Sequence, residues 1–179
     1  MKTSQHVRRL FPSLVLLTLC VTISCKQVTQ AISNLLTFSI VKTAPGIPIL
    51  PQTPVGLTFA SPGIPIGIDS ADLAKQKTAL SLVKTLKLTD MKIAIDSPNF
   101  SRTNIETLTL SVGTDSLSTV LLATYSGSTD IVTITNNDFA AQAKNPNDKF
   151  YITFRLKKDP TQLVHLLTTY TLTFSADPL

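Results

Sequence analysis

The sequence predicts an all-β protein, a two-sheet immunoglobulin-like antiparallel β-sandwich with one or two short helices. Short runs of alternating apolar and hydroxyl residues recur at spacings of roughly 8 to 15 residues, which is typical of sandwich strands. Charged residues make up only 15% of the chain, and Ser and Thr are abundant. Gly, Pro and Asn clusters separate the runs, and long helical segments between them are lacking, which disfavours a parallel sheet.

The first strand is expected from Leu36 to Lys42, where apolar residues alternate with hydroxyl residues. An internal echo follows, because residues 44–49 and 61–66 match at five of six positions and each contains Ile-Pro-Ile. Proline cannot donate to a ladder, so these segments are expected to be edge strands. A strand from Val55 to Phe59 lies between them. Two copies are too few for a repeat architecture, which needs about three stacked units.

A short helix is expected to begin at Ser70 and to end near Thr78. Ser70 is placed as its cap, and Asp72 puts a carboxylate in the first turn, where the helix dipole favours negative charge. The next strand runs from Leu86 to Ile95 and alternates throughout except at Thr89-Asp90. One extra residue at that point shifts the apolar face, which predicts a β-bulge.

The middle of the chain predicts a hairpin, a further strand and a second helix. Strands are expected over 104–112 and 119–125, joined by a turn that contains Gly113. Residues 131–134 form another strand. The polar run 136–138 is then expected to cap a short helix that continues to about Ala143.

The last two strands show the clearest alternation. Phe150, Ile152, Phe154 and Leu156 share one face of the first, and Tyr170, Leu172 and Phe174 share one face of the second. A turn at Lys158-Asp159-Pro160-Thr161 separates them. These two strands are therefore expected to pair as a closing hairpin.

The N-terminal residues have the anatomy of a secretion signal. A basic stretch is followed by a 13-residue apolar run from Phe11 to Ile23, roughly 20 Å long as a helix and too short for a hydrocarbon core of about 30 Å. Residues 1–24 are expected to be the signal peptide and 25–34 a tether. Residues 35–179 are expected to form the β-sandwich domain.

The end of the signal, Thr22-Ile23-Ser24-Cys25, resembles a bacterial lipobox, in which the Cys is acylated and becomes the first residue. The small Ser24 fits this pattern, whereas Thr22 departs from the preferred Leu. Cys20 is a weaker candidate because Leu19 precedes it. Ordinary cleavage a few residues further on, with both Cys residues removed, is the alternative. The resemblance implies lipidation at Cys25 and attachment to a membrane.

The order of the expected elements, from the Pro-rich opening to the two closing strands, resembles uncharacterised small lipoproteins of Bacteroidetes-type bacteria. Lys26 and not Asp follows Cys25, which by resemblance to the sorting rule of proteobacterial lipoproteins implies that the protein is not held at the inner membrane. No acidic cluster follows the Cys, so the surface-export tag of Bacteroidetes lipoproteins is lacking and an outer-membrane position facing the periplasm is expected. It supplies no functional residue except Cys25. Two triplets, at 69–71 and 115–117, match a short O-glycosylation pattern of such bacteria, which makes Ser70 and Ser116 minor candidates for modification.

Composition argues against nucleic-acid binding. The formal net charge is +5, but without Lys2, Arg8 and Arg9 of the signal there remain 13 basic and 11 acidic residues, a net charge of +2. Lys157-Lys158 is the one adjacent basic pair after the signal. A charge this small and this dispersed does not predict contact with a phosphate backbone.

No catalytic, metal-binding or cofactor-binding residue is predicted. After the signal the chain has one His, His165, and one Glu, Glu106, and no Gly-x-Ser-x-Gly motif surrounds a Ser. The ten Asp residues lie mostly at expected turns, where they satisfy backbone donors. With so few His and Cys residues, a zinc site is not expected either. The chain after Cys25 has no Cys, so an exported domain has no disulfide.

These observations predict a non-enzymatic, membrane-anchored envelope lipoprotein with a structural or protein-binding role. The alternative is a module that binds a glycan or a small ligand. A concave cluster of Tyr125, Tyr151 and Tyr170 would favour the alternative, because exposed aromatic rings form sugar platforms. An apolar patch or open edge between Ile47 and Ile66 would favour a protein partner.

Overall fold

The computed structural model describes residues 36 to 179. These residues form two antiparallel sheets that pack face to face. The expected all-β class, the sandwich and the two short helices are confirmed. The signal peptide, the tether and Cys25 lie outside the described residues. The strands are β1 (Thr37–Thr43), β2 (Ile47–Ile49), β3 (Thr58–Ala60), β4 (Ile64–Pro65), β5 (Val83–Ile95), β6 (Ile105–Gly113), β7 (Thr119–Ser126), β8 (Ile131–Ile134), β9 (Lys149–Leu156) and β10 (Val164–Ala176). The helices are α1 (Ser70–Lys75) and α2 (Ala140–Lys144).

The first sheet is built around β10. This strand pairs with β5 on one side, and on the other with β1 along 169–175 and with β2 along 164–166. Its side chains alternate strictly between buried and half-buried, as expected from the sequence. The outer face carries hydroxyl residues, among which Ser39 and Thr173 are 2.8 Å apart.

The second sheet is built around β9 in the same manner. β6 pairs with one side of β9, while β3 and β4 pair with the other, and β7 and β8 continue the sheet beyond β6. The hairpin of β6 and β7 is confirmed. The strand expected at 55–59 is shorter than predicted, because only Thr58–Ala60 pairs with β9.

The expected closing hairpin is wrong. β9 and β10 belong to different sheets, and residues 157–163 cross between them. Their apolar faces meet across the core, where the rings of Phe150 and Tyr170 lie 5.2 Å apart in an edge-to-face arrangement. An alternating pattern shows which side of a strand is buried, but it is the same for a hairpin and for two strands that face each other.

The proline-containing echo is confirmed as a pair of edge segments, one in each sheet. β2 pairs with β10 in the first sheet and β4 pairs with β9 in the second.

The β1 edge carries Lys42, which pairs with Asp72 of α1 at 2.8 Å and is 24% exposed. A charged residue that points inward on an edge strand disfavours pairing with another chain.

The expected bulge in β5 is confirmed. Thr171 pairs with Asp90 and Leu172 with Leu88, which leaves Thr89 as the extra residue. The expected cap at Ser70 is wrong by one position. Asp69 is the N-cap and accepts a hydrogen bond from the backbone N–H of Ala71, because its carboxylate reaches the second residue of the helix.

The end of the first helix and the cap of the second also differ from expectation. The first helix ends at Lys75 and not near Thr78. Before α2, the carboxylate of Asp138 accepts from the backbone N–H groups of both Ala140 and Leu86. The N-cap of α2 is Phe139, which makes no side-chain cap hydrogen bond, so the cap expected at 136–138 is wrong by one position. Asp138 still accepts from the first residue of the helix and also covers the free edge of β5.

Candidate functional site

Two neighbouring crossovers close one end of the sandwich. Residues 50–57 connect β2 to β3, and residues 157–163 connect β9 to β10, so both segments pass between the sheets at the same end. They are joined by a hydrogen bond from the backbone N–H of Gln52 to the carbonyl of Pro160, 3.3 Å long. We call these two segments the crossover tip.

The crossover tip exposes large apolar side chains. Leu50 is 62% exposed, Val55 49%, Leu57 57% and Leu163 50%. Leu50 and Leu163 directly follow and precede Ile49 and Val164, the last paired residues at this end of the sheet. Scattered exposed leucines are ordinary on a protein surface, whereas a group of them on adjoining loops indicates a contact surface.

Prolines and hydrogen bonds reduce the number of free backbone donors in this segment. Pro51 and Pro54 have no N–H group, and the N–H groups of Gln52, Thr53 and Gly56 donate to carbonyls of residues 160, 50 and 156. The backbone therefore loses fewer contacts with water when the tip is covered by an apolar partner.

The charged residues of the crossover tip are Lys157, Lys158 and Asp159, and all three are exposed. None of them forms an ion pair with any residue between 36 and 179. Nearby Arg155 is neutralised by Glu106 at 2.8 Å. Among residues 36–179, the two cations and the one anion of the tip thus have no ion-pair partner, and they lie in the same loops as its apolar side chains.

The crossover tip lies at the opposite end of the sandwich from the first described residues. Thr37, where β1 begins, pairs with Ser175, whereas the tip adjoins Val164 at the start of β10. The eleven residue steps between Val164 and Ser175 span roughly 37 Å at about 3.4 Å per residue. A chain held by its N-terminal side would therefore present the tip at its far end.

The single described His is paired with a carboxylate at a strand end. His165 Nδ1 lies 2.8 Å from Asp96 Oδ2, and the backbone N–H of His165 donates to Asp96 Oδ1. That backbone donor, followed by the imidazole, lowers the pKa of Asp96. Within residues 36–179 no hydroxyl hydrogen-bonds to the imidazole, so the pair lacks the nucleophile that a charge relay requires.

A second polar cluster has a structural explanation. The Tyr125 hydroxyl lies 2.9 Å from Asp130 Oδ1 and 3.0 Å from the carbonyl of Arg102, and Arg102 pairs with Asp130 at 2.7 Å. Burial, followed by the carboxylate, raises the pKa of Tyr125 to about 12. The guanidinium, followed by the phenol, lowers the pKa of Asp130. The cluster ties the turn before β8 to the turn before β6.

The three tyrosines do not form a cluster. Tyr125 and Tyr170 are only 2% and 4% exposed and belong to the core, while the hydroxyl of Tyr151 donates to the carbonyl of Thr114.

A shallow depression of about 340 Å³ lies over β6, β7 and β8. Its lining includes the hydroxyl residues Thr107, Thr109, Thr124, Ser126, Thr129 and Thr133.

Ser70 and Ser116 are both exposed, at the start of α1 and in the β6–β7 loop. Asp115 beside Ser116 accepts from the backbone N–H groups of Ser118 and Leu117, which lower its pKa. Glycosylation at either Ser stays a prediction.

Over residues 36–179 the side chains contain no group of three potential metal ligands, and the helices there include none long and apolar enough to cross a membrane.

The crossover tip was not singled out from the sequence. Leu50 and Leu163 flank turn residues, and their exposure depends on the sheet assignment of β9 and β10, which the alternating pattern leaves open. The apolar residues in Pro-containing connections were the one available signal.

Comparison of the chain with known protein families, with curated proteins and with solved structures gives no match.

Proposed function

We propose that this protein is a non-enzymatic envelope lipoprotein, attached to a membrane through acylated Cys25, with a structural or protein-binding role. The observation that carries the proposal is the sequence up to Ser24-Cys25, which combines signal-peptide anatomy with a small residue before the Cys. One acyl chain gives marginal membrane binding, whereas two or more give stable attachment.

The architecture supports a role in binding a partner. The exposed apolar side chains of the crossover tip, including Leu57 and Leu163, lie on two connected loops of a disulfide-free sandwich. The apolar loop lies within the Ile47 to Ile66 region, where an apolar surface was expected to favour a partner. The position facing the periplasm, at the outer membrane, belongs to the same proposal and rests on Lys26 after the Cys.

The test is membrane fractionation of the full chain expressed in a bacterium, beside Cys25→Ala and Cys20→Ala variants. Wild type and Cys20→Ala are expected in the membrane fraction, and Cys25→Ala in the soluble fraction or uncleaved. Equal membrane association of the Cys25→Ala variant after correct cleavage would reject the anchor. Loss of association in Cys20→Ala alone would move the acylated residue to Cys20.

A second candidate function is recognition of a glycan or small ligand by the depression over β6, β7 and β8. Its Thr and Ser residues favour this candidate, although most of its accessible lining is apolar and the buried Tyr125 supplies no exposed ring. Calorimetric titration with envelope oligosaccharides, beside a Thr109→Val/Thr124→Val variant, tests it. Binding heat that the variant loses would support a ligand site, and no heat with wild type would reject it.

A further inference from the structure

We propose that the crossover tip is a docking surface for an anionic lipid bilayer. The proposal goes beyond the acyl anchor, because the tip lies at the opposite end of the sandwich from the described start of the chain. It therefore makes a separate claim, which a protein without any acyl group can test.

The apolar part of the tip consists of four exposed aliphatic side chains on two loops. Leu50, Val55, Leu57 and Leu163 are each about half exposed or more, and they lie on two loops held together at Gln52 and Pro160. Aliphatic side chains on such loops can enter the boundary between headgroups and acyl chains. Their contact removes apolar surface from water without rearrangement of the sheets.

The backbone of the loop is suited to this environment. An N–H group that enters an apolar medium without a partner carries a large cost. In residues 50–57 two of the eight backbone nitrogens belong to proline, and three others already donate within the protein. A loop with this many satisfied or missing donors is less costly to bury than an ordinary loop of the same length.

The two lysines beside these apolar side chains favour anionic lipid. Lys157 and Lys158 are exposed and form no ion pair within residues 36–179. Asp159 is the exposed acid within the tip, and Asp96 lies beside the tip, since its neighbour Ser97 bonds to Gln162. Long lysine side chains can follow an apolar surface and place their ammonium groups among phosphates. A lysine near an anionic membrane surface strengthens binding about fivefold. A protein partner would need carboxylates placed to meet these two lysines, whereas anionic lipids supply negative charge over their whole surface.

The test is vesicle co-sedimentation with the chain from residue 26 onward, which carries no acyl group. Such a chain keeps the whole described core, which extends from Leu36 to Ala176. The probes are vesicles of phosphatidylglycerol and phosphatidylcholine, compared with phosphatidylcholine alone at low ionic strength. We expect binding to the anionic vesicles that declines as phosphatidylglycerol is reduced or salt is added.

Four variants locate the contact. Leu57→Asp is expected to abolish binding, while Leu117→Asp, at a 93% exposed position in the β6–β7 loop, adds the same charge elsewhere and is expected to leave it unchanged. Lys157→Gln/Lys158→Gln is expected to weaken binding about 25-fold, at about fivefold per lysine. Lys92→Gln/Lys149→Gln removes two other exposed lysines as its control.

Three outcomes would overturn the proposal. The first is absence of binding to anionic vesicles at low salt. The second is equal loss of binding in the tip variants and their controls, which would assign binding to general charge. The third is self-association, measured by sedimentation velocity, that Leu57→Asp abolishes while vesicles remain unbound. That result would make the tip an interface between two copies of this chain.

Discussion

A double-mutant cycle between Phe150 and Tyr170 tests the crossing of β9 and β10 most closely. Phe150 is fully buried, and its ring contacts Phe139 at 5.8 Å and Tyr170 at 5.2 Å. Truncation of a buried Phe to Ala costs about 3 to 5 kcal/mol, a large part of the roughly 5 to 15 kcal/mol that stabilises a domain. At about 2 to 4 °C per kcal/mol, Phe150→Ala is expected to lower the Tm by roughly 10 °C.

The coupling free energy distinguishes two strands that face each other across the core from two strands paired as a hairpin. Counted outward from a turn at 158–161, a hairpin would place Phe150 opposite Thr169 and turn Tyr170 to the other face. In the observed arrangement the two rings touch, and an aromatic pair contributes about 0.5 to 1.5 kcal/mol beyond its burial. We therefore expect Phe150→Ala and Tyr170→Ala to be coupled by about that amount.

The assay is urea unfolding of the chain from residue 26, followed by circular dichroism, for the wild type, both single variants and the double variant. Val41→Ala is the control, since Val41 is 64% exposed and a surface change of this kind alters stability by less than about 0.5 kcal/mol. Strict additivity of the two core variants would refute the contact between the sheets, as would a Phe150→Ala cost no larger than that of the control.

Three further predictions concern polar groups and thiols. Tyr125→Phe removes the hydroxyl that bonds to Asp130 and is expected to cost about 1 to 2 kcal/mol in urea unfolding; an unchanged midpoint would contradict the bond's role. The lowered pKa of Asp130 contributes stability above its unfolded value of 3.8, and this is lost as the pH falls through the folded pKa. Acid titration of Asp130→Asn should therefore show a smaller loss than wild type, and equal losses would contradict this assignment. A reducing agent should leave the urea midpoint of the chain from residue 26 unchanged, since both Cys residues precede residue 26. A shifted midpoint would contradict the statement that the sandwich is stable without a disulfide.

Local features of the fold could be predicted from the sequence because they depend on nearby residues. The face of each long strand follows from alternation, and the β-bulge at Thr89 follows from a single break in it. The Ile-Pro-Ile segments lie at sheet edges because proline lacks the donor that a central strand needs.

The placement of β9 and β10 in different sheets could not be predicted in the same way. Both strands have one apolar face, and a short polar connection between such strands most often forms a hairpin. Here Pro160 is buried and its carbonyl binds Gln52, so the connection packs against another loop that is more than 100 residues earlier in the chain. Contacts of this range leave no periodic signal in the sequence.

Among the candidate functional residues, exposure could be predicted at Ser116 but not at Leu57. The exposure of Ser116 at a turn could be expected from Gly113 and Asp115 around it, and its loop position is observed. The exposure of Leu57 could not, because its segment was expected to begin a strand at Val55. Only the pairing with β9, which begins at Thr58, shows that Leu57 lies outside the sheet.

The intact mass of the mature protein, purified from bacterial membranes with detergent, tests the lipid anchor most directly. The proposal predicts a chain that begins at Cys25 and carries the added mass of its acyl groups, with a fragment spectrum that places them on that residue. A mature chain that begins at an unmodified residue beyond Cys25 would contradict it. The sandwich would then be a freely secreted module, and the crossover tip would be its remaining candidate for attachment to a membrane.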